Sequence, residues 1–168
     1  VQGLGAVVRI HDTHEDETWA IVSEAYTYAF PLMMMDATAT SSTNTEVATD
    51  TKAPINQLYH ASHLADSESK LVVTPNVDTI YSQAWMNLGE EPLVFSKPES
   101  DRFLSVEVLD YFTNSVAILG TGGDTQDAQE YLITGPKWNG VVPEGLLQVE
   151  VPTSNAWLIV RTVVDGQE

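Results

Sequence analysis

The side chains that could do chemistry gather in two polar clusters beside strand-like runs. The first follows Pro75 in "TPNVDTIYSQAW" and comprises Asn76, Asp78, Thr79, Tyr81 and Ser82. The second lies in "LDYFTNS" and comprises Asp110, Tyr111, Thr113 and Asn114. Each brings carboxylate, amide, hydroxyl and phenol groups to a strand end, where sandwich folds commonly carry their binding sites. Asn and Asp also bond to their own backbone in turns, so a structural role could explain both clusters.

A lone positive charge, Arg161, interrupts the apolar run "AWLIVRTVV". In a strand its side chain shares a face with Trp157, Ile159 and Val163, because successive residues alternate between faces. We expect Arg161 to be at least half buried and paired with a carboxylate, since an unpaired buried charge is costly. Asp78 and Asp110 are the first choices as partner, with Glu107 as a further option. A structural ion pair is the favoured role, and a ligand clamp is the alternative.

Two histidines, His60 and His63, lie three residues apart in "YHASH", with Asp66 shortly after. On a helix they would share one face and could hold a divalent metal with an open position. The alternative is an ordinary exposed helix end. Cysteine is absent, which excludes thiol catalysis, disulfides and cysteine-based zinc sites. The sequence requires no cofactor, and a divalent metal is the one it allows.

The balance of charge restricts the partners. Seven Lys and Arg against 24 Asp and Glu give a net charge of −17, which argues against nucleic acids and anionic membranes. The longest apolar run, "AFPLMMM", falls far short of the ~20 residues of a membrane span. We expect a soluble protein, with a lean towards secretion or the periplasm, since the chain begins at Val1 and a targeting segment could have been removed. A small-molecule ligand and a homo-oligomer remain open.

The elements that position these residues change character near residue 70. Residues 1–10 suit a short strand or an arm. Thr13 and Asp16 have the form of a capping box, which predicts a helix over residues 14–40. Pro31 should kink or interrupt that helix. Its apolar face would consist of Trp19, Val22, Tyr26, Ala29, Phe30 and Met33. Residues 54–66 predict a second short helix with Pro54 in its first turn.

Seven short β-rich runs follow, separated by Gly, Pro, Asn and Asp. They are "TIYSQAWMNL", "PLVFSK", "RFLSVEVLDYF", "SVAILG", "EYLITG", "LLQVEV" and "AWLIVRTVV". Regular short strands of this kind predict a two-sheet antiparallel sandwich. The predicted class is therefore α+β and mainly β. A helical segment, residues 1–70, would pack on a sandwich formed by residues 71–168.

Several of these runs resemble the signatures of the family named domain of unknown function 1254. They include "AYTYAFPLMMMD", "PNVDTIYSQAWMNLGEEPLVFS", "VLDYFTNSVAILGTG" and "YLITGPKWNG". The resemblance runs from about residue 24 to residue 166. It implies an N-terminal helical segment and an immunoglobulin-like β-sandwich. It also implies a following β-rich domain, the domain of unknown function 1214, so we expect this chain to be a fragment of a longer two-domain protein. It implies no established reaction.

Two functions remain in view. The first is a binding or structural β-sandwich module, favoured because the chain lacks the common nucleophile and nucleotide-binding motifs. Its binding residues would be Asn76, Asp78, Thr79, Tyr81, Thr113, Asn114 and Arg161. The alternative is part of an enzyme with acid–base groups in an Asp/Tyr pocket, with a metal near His60 as an option. Its catalytic residues would be Asp78, Tyr81 and Asp110.

Overall fold

The computed structural model describes residues 13–69 and 74–165. Within them, one helix is followed by eight strands. The helix is α1 (Thr13–Thr43), and the strands are β1 (Tyr59–His60), β2 (Thr79–Asn87), β3 (Leu93–Lys97), β4 (Leu104–Asp110), β5 (Ser115–Gly120), β6 (Gln129–Thr134), β7 (Leu146–Glu150) and β8 (Asn155–Val163). All seven predicted strands are present, as β2 to β8, and the mainly β α+β class is confirmed. The predicted arm, residues 1–10, lies outside the described residues.

The strands form two sheets. One has five strands in the order β1-β2-β8-β4-β5, and the other has three in the order β3-β6-β7. Every pair is antiparallel except β6 and β7, which are parallel. The two sheets are therefore predominantly antiparallel, and the pairing of β6 with β7 departs from the predicted antiparallel arrangement. The reason is the long connection over residues 135–145, which returns the chain to the end of the sheet where β6 began.

One hydrophobic core lies between the two sheets. The five-stranded sheet contributes Val106, Val108 and Leu158, and the three-stranded sheet contributes Tyr131 and Ile133. All five are almost wholly buried. In β2, β4 and β8 all the side chains that belong to this core have even residue numbers. The odd-numbered side chains therefore point to the other side of the five-stranded sheet. That outer side carries Arg161.

The predicted second helix over residues 54–66 is wrong. Pro54 opens a turn in which the Gln57 N–H donates to its carbonyl, and β1 follows. The Asn56 N–H donates to the Trp85 carbonyl at 2.8 Å, and the Ala61 N–H donates to the Tyr81 carbonyl at 2.8 Å. This segment therefore satisfies the free edge of β2. Buried backbone groups need such partners, and this need overrides a weak helical preference.

Helix α1 runs through Pro31, so of the predicted kink or interruption, the interruption is absent. The helix contacts the sandwich through Met35 and Ala39, which pack on Trp85, and through the Tyr28 ring, 5.4 Å from that of Phe112. The predicted apolar face is on another side. Its large side chains, which we call the outer stripe, are 46–69% exposed: Trp19, Val22, Tyr26, Phe30 and Met33. α1 thus has two apolar faces, and the sandwich covers one of them at Met35 and Ala39, while Ile21 and Tyr28 stay 67% and 68% exposed.

Candidate functional site

The first polar cluster is organised around a turn. The Asn76 side-chain oxygen accepts the N–H groups of Asp78 at 2.7 Å and Thr79 at 3.2 Å. This bonding fixes the entry into β2, which explains the sequence "PNVDT" structurally. Asp78 points its carboxylate into solvent. The Thr79 hydroxyl is buried and has no partner among residues 13–69 and 74–165.

The second polar cluster is also a turn, and Asp110 is its centre. Asp110 is 3% exposed. One carboxylate oxygen accepts the N–H groups of Phe112 at 2.8 Å and Asn114 at 2.9 Å, and the other accepts the Asn114 side-chain amide at 2.8 Å. Thr113 adopts a left-handed conformation with φ of 68°. Asp110 therefore holds the β4–β5 turn together, and its acceptor capacity is largely used there.

The two clusters lie at opposite ends of the five-stranded sheet. Thr79 pairs with Val163, whereas Asp110 pairs with Ala156 at the other end of β8. Seven residues of strand separate these positions, which is about 23 Å at 3.3 Å per residue. Asp110 is thus remote from Asp78, and it lies several residues along the sheet from Tyr81, which faces Arg161. The structure does not bring the three proposed catalytic side chains together.

Arg161 lies on the outer side of the sheet beside Tyr81 and Glu107. Its Nη1 donates to Glu107 Oε2 at 2.9 Å, and its Cζ lies 5.7 Å from the Tyr81 ring centroid. The Arg161 and Glu107 side chains are 29% and 22% exposed. Arg161 is more than half buried and paired, as expected, but its partner is neither Asp78 nor Asp110. Glu107 faces Ile159, so it is one diagonal step from Arg161 on the same face.

The environment of Arg161 favours its charged form. Burial by itself lowers the pKa of Arg161, but the hydrogen bond with Glu107 and the interaction with Tyr81 outweigh burial, and the net effect raises the pKa. A contact that keeps Arg161 charged in this way is expected of a structural ion pair. Tyr81 contributes through its ring and phenol to the same group.

We expect Glu107→Gln to lower the free energy of unfolding by about 1–2 kcal/mol, because it leaves the Arg161 charge partly buried without a counter-charge. Arg161→Met should cost less, since it removes the charge and keeps most of the apolar stem. The double variant should be more stable than the sum of the two single losses implies, with a coupling of about 1 kcal/mol. Urea denaturation of the four proteins measures this coupling. Strictly additive losses would contradict the structural pair.

A group of aromatic residues, missed by the sequence reasoning, joins α1 to the outer side of the sheet. Trp85 and Trp157 face each other across β2 and β8 with ring centroids 4.7 Å apart and planes 6° from parallel. Tyr111 meets Trp85 at 88°, with centroids 6.4 Å apart. The Trp157 indole N–H donates to the Gln83 side chain at 3.1 Å, which fixes the stack. The signal that could have revealed this group is the strand register, which the sequence does not show.

A cavity of about 170 Å³ lies between α1 and this aromatic group, and we call it the junction cavity. Its walls include Asp36, Thr40, Thr43, Trp85, Tyr111 and Asn155. The Tyr111 hydroxyl donates to Asp36 Oδ1 at 3.5 Å, a long contact. Burial, with the Asp36 charge and hydrogen bond, raises the pKa of Tyr111. The phenol therefore stays protonated at neutral pH and can donate.

The histidine pair does not form the predicted helix face. His60 belongs to β1, and its Nδ1 lies 2.7 Å from the Ser82 hydroxyl. His63 is exposed in the loop that follows. In the part of the chain that the structure describes, no three His, Asp or Glu side chains are grouped so as to hold a metal. Two histidines three residues apart share a face only on a helix, and the chain at His60 is a strand.

A larger open groove of about 510 Å³ lies along β3 and β6. Its one cation is Lys97, which is almost wholly buried. The Lys97 ammonium donates to the backbone carbonyls of Asp127 and Pro98. These bonds give the buried Lys97 ammonium its partners, so they explain the residue structurally.

Comparison with known proteins shows the family to which this chain belongs. The model of the family described as "Protein of unknown function (DUF1254)" matches residues 55–168. The chain belongs to the DUF1254 family. The match begins after α1 and includes both polar clusters and all eight strands of this DUF1254 chain. No curated protein matches it. No helix within residues 13–69 and 74–165 has the length and apolar character to cross a membrane.

Among solved structures, the VPA0106 protein from Vibrio parahaemolyticus is similar, with a TM-score of 0.62 and 20% identity. At that identity the likeness concerns the fold alone. It covers 83% of the DUF1254 chain, more than residues 55–168 supply, so it reaches into the first 54 residues. The chain spans 31% of the length of the VPA0106 protein.

Proposed function

We propose that this chain is a non-catalytic binding module that docks, through the outer stripe of α1, onto a further β-rich domain of a longer polypeptide. In this proposal the two sheets form an immunoglobulin-like sandwich that holds the helix in place. The observation that carries the proposal is the second apolar face of α1. The sandwich covers one face at Met35 and Ala39, and the outer stripe faces solvent.

The outer stripe has the composition of a buried surface. Its five side chains are large and apolar, and the Tyr26 and Phe30 rings contact each other with centroids 5.7 Å apart. A helix that is apolar on two sides is typical of a helix buried between two layers. Contiguous exposed apolar patches on soluble domains commonly mark interaction surfaces. Aromatic residues and Met, enriched at interfaces, make up most of the stripe.

The net charge of the chain and the length of the similar protein indicate which partner covers the outer stripe. Two copies of a chain with a net charge of −17 repel each other. The helix adds to this repulsion because Glu17 and Glu24 are exposed along it. A domain of the same polypeptide avoids the difficulty, because covalent linkage gives it a high effective concentration. The similar VPA0106 protein has more than twice as much chain outside the match as within it.

The placement of the polar side chains supports binding over catalysis. Asp110 and Asn76 are used in turns, Asp78 faces solvent at the far end of the sheet from Asp110, and Arg161 is paired with Glu107. These structural roles explain why polar residues are frequent in these segments, and no catalytic role is needed to explain them.

Methionine oxidation tests the proposal because the four methionines divide cleanly. Met33 and Met34 are 60% and 52% exposed, whereas Met35 and Met86 are 4% and 3% exposed. In the 168-residue chain we expect peroxide to oxidise the first two quickly and the last two slowly. In the full-length natural polypeptide, oxidation of Met33, which lies in the outer stripe, should slow by about tenfold or more. Mass spectrometry of the peptides gives the rates.

A pair of variants sharpens this test. Phe30→Glu, in the stripe, should restore rapid Met33 oxidation in the full-length polypeptide. Ser41→Glu, which adds the same charge at another exposed position of α1, should leave Met33 protected. Equal Met33 oxidation in the short and full-length chains would overturn the proposal, as would a natural polypeptide with no further domain.

A further inference from the structure

The junction cavity has an unneutralised negative charge. Asp36 is exposed to the cavity, and its carboxylate makes one long hydrogen bond, to Tyr111 at 3.5 Å. No lysine or arginine within the described ranges lines the cavity or pairs with Asp36. The oxygen atoms of Thr40, Thr43 and Asn155 add further acceptors. Such a wall favours a positively charged occupant.

The aromatic residues add a second attraction for a cation. Trp85 and Tyr111 meet almost at right angles, so they form two adjoining walls of the cavity. The electron-rich face of an aromatic ring attracts ammonium groups, and Tyr111 is the partly exposed aromatic wall, because Trp85 is 3% exposed and stacks one face on Trp157. Trp85 is held by its stack with Trp157, whose indole is bonded to Gln83. The walls are therefore ordered before any ligand arrives, which reduces the entropic cost of binding.

Size and charge narrow the ligand class. A volume of about 170 Å³ holds the equivalent of about six waters at about 30 Å³ each, which suits a group of a few heavy atoms. A divalent metal would need more oxygen ligands than one carboxylate and scattered hydroxyls offer. An anion would meet Asp36 and the net charge of −17. We infer that the junction cavity binds a small organic cation that carries an alkylated ammonium group.

Choline chloride is the probe that tests this site. We expect a titration followed by proton–nitrogen NMR to give a saturable shift of the Trp85 indole N–H. Two controls separate charge from shape. The neutral isostere 3,3-dimethyl-1-butanol should bind at least about tenfold more weakly, a difference of about 1.4 kcal/mol. Sodium chloride at the same ionic strength should give no saturable shift.

Variants assign the binding to the cavity. Asp36→Asn keeps the shape of an exposed side chain and should weaken choline binding by about tenfold or more. Thr40→Lys, which places a resident ammonium in the cavity, should abolish it. Glu150→Gln removes one charge at an exposed position of β7 and should leave the affinity unchanged. Circular dichroism confirms that each variant is folded.

Three results would overturn the inference. They are the absence of a saturable shift with choline, equal affinity for choline and its neutral isostere, and equal weakening by Asp36→Asn and Glu150→Gln. None of these results concerns the outer stripe, which lies on a different side of α1. The docking proposal is therefore tested separately.

Discussion

Gly120→Ala should lower the free energy of unfolding by about 3 kcal/mol or more. Gly120 ends β5 with φ of 84°, a left-handed conformation that costs an L-residue about 1–2 kcal/mol. A Cβ atom at this position would also lie 2.3 Å from the carbonyl oxygen of Leu104. That oxygen accepts the Thr121 N–H at 2.9 Å, so it cannot move away without breaking the bond that closes the sheet. Both penalties act in the folded state.

Gly122→Ala is the matched control. Gly122 has φ of 80°, but a Cβ there would have no atom within 4 Å. The control variant should therefore lose only the conformational part, about 1–2 kcal/mol. Urea denaturation of the two variants and the parent chain gives both losses. Equal losses would show that β4 shifts to accommodate the methyl group, and that the contact with Leu104 is not a constraint.

Asp110→Ala should cost about 3 kcal/mol. It leaves the N–H groups of Phe112 and Asn114 without their acceptor in a part-buried turn, and hydrogen bonds to charged groups contribute about 1.5–3 kcal/mol each. It also removes the local bonding that supports the left-handed backbone at Thr113. Asp110→Asn retains one acceptor oxygen and should lose less. Thermal or urea unfolding measures both variants.

Asp78→Ala provides the comparison, because its carboxylate is exposed and makes no side-chain hydrogen bond among the described residues. We expect its effect to stay within about 0.5 kcal/mol. The two aspartates have similar sequence settings, each near a strand end among hydroxyl and amide residues. A large effect at Asp78 together with a small effect at Asp110 would reverse the roles assigned to them.

The strands and α1 could be predicted because their signals are local. Alternation within a few residues and turn residues between the runs are enough to locate β2 to β8. The segment around Tyr59 and His60 has no such pattern of its own. It becomes a strand because β2, more than twenty residues later, offers an open edge. The parallel pairing of β6 with β7 is likewise decided by the path of a connection, and no local pattern encodes that path.

The candidate sites likewise combine features that local sequence predicts with features that it does not. The burial of Arg161 follows from its apolar neighbours, so it could be predicted. The choice of Glu107 over Asp110 depends on the register of β4 against β8, which places Glu107 opposite Ile159. The Trp85–Trp157 stack and the junction cavity depend on the register of β2 against β8 and on where α1 crosses the sheet. Those relations join distant parts of the chain and cannot be derived from one sequence.

The order of strands in the five-stranded sheet has a consequence for how the chain folds during synthesis. β8 follows the other seven described strands along the chain, yet it lies between β2 and β4 and pairs with both. Until residues 155–163 have left the ribosome, β2 and β4 have no partner on their facing edges. Contacts this distant in sequence form slowly, and open edges invite pairing with other chains. The nascent five-stranded sheet is therefore most exposed to wrong pairing just before β8 emerges.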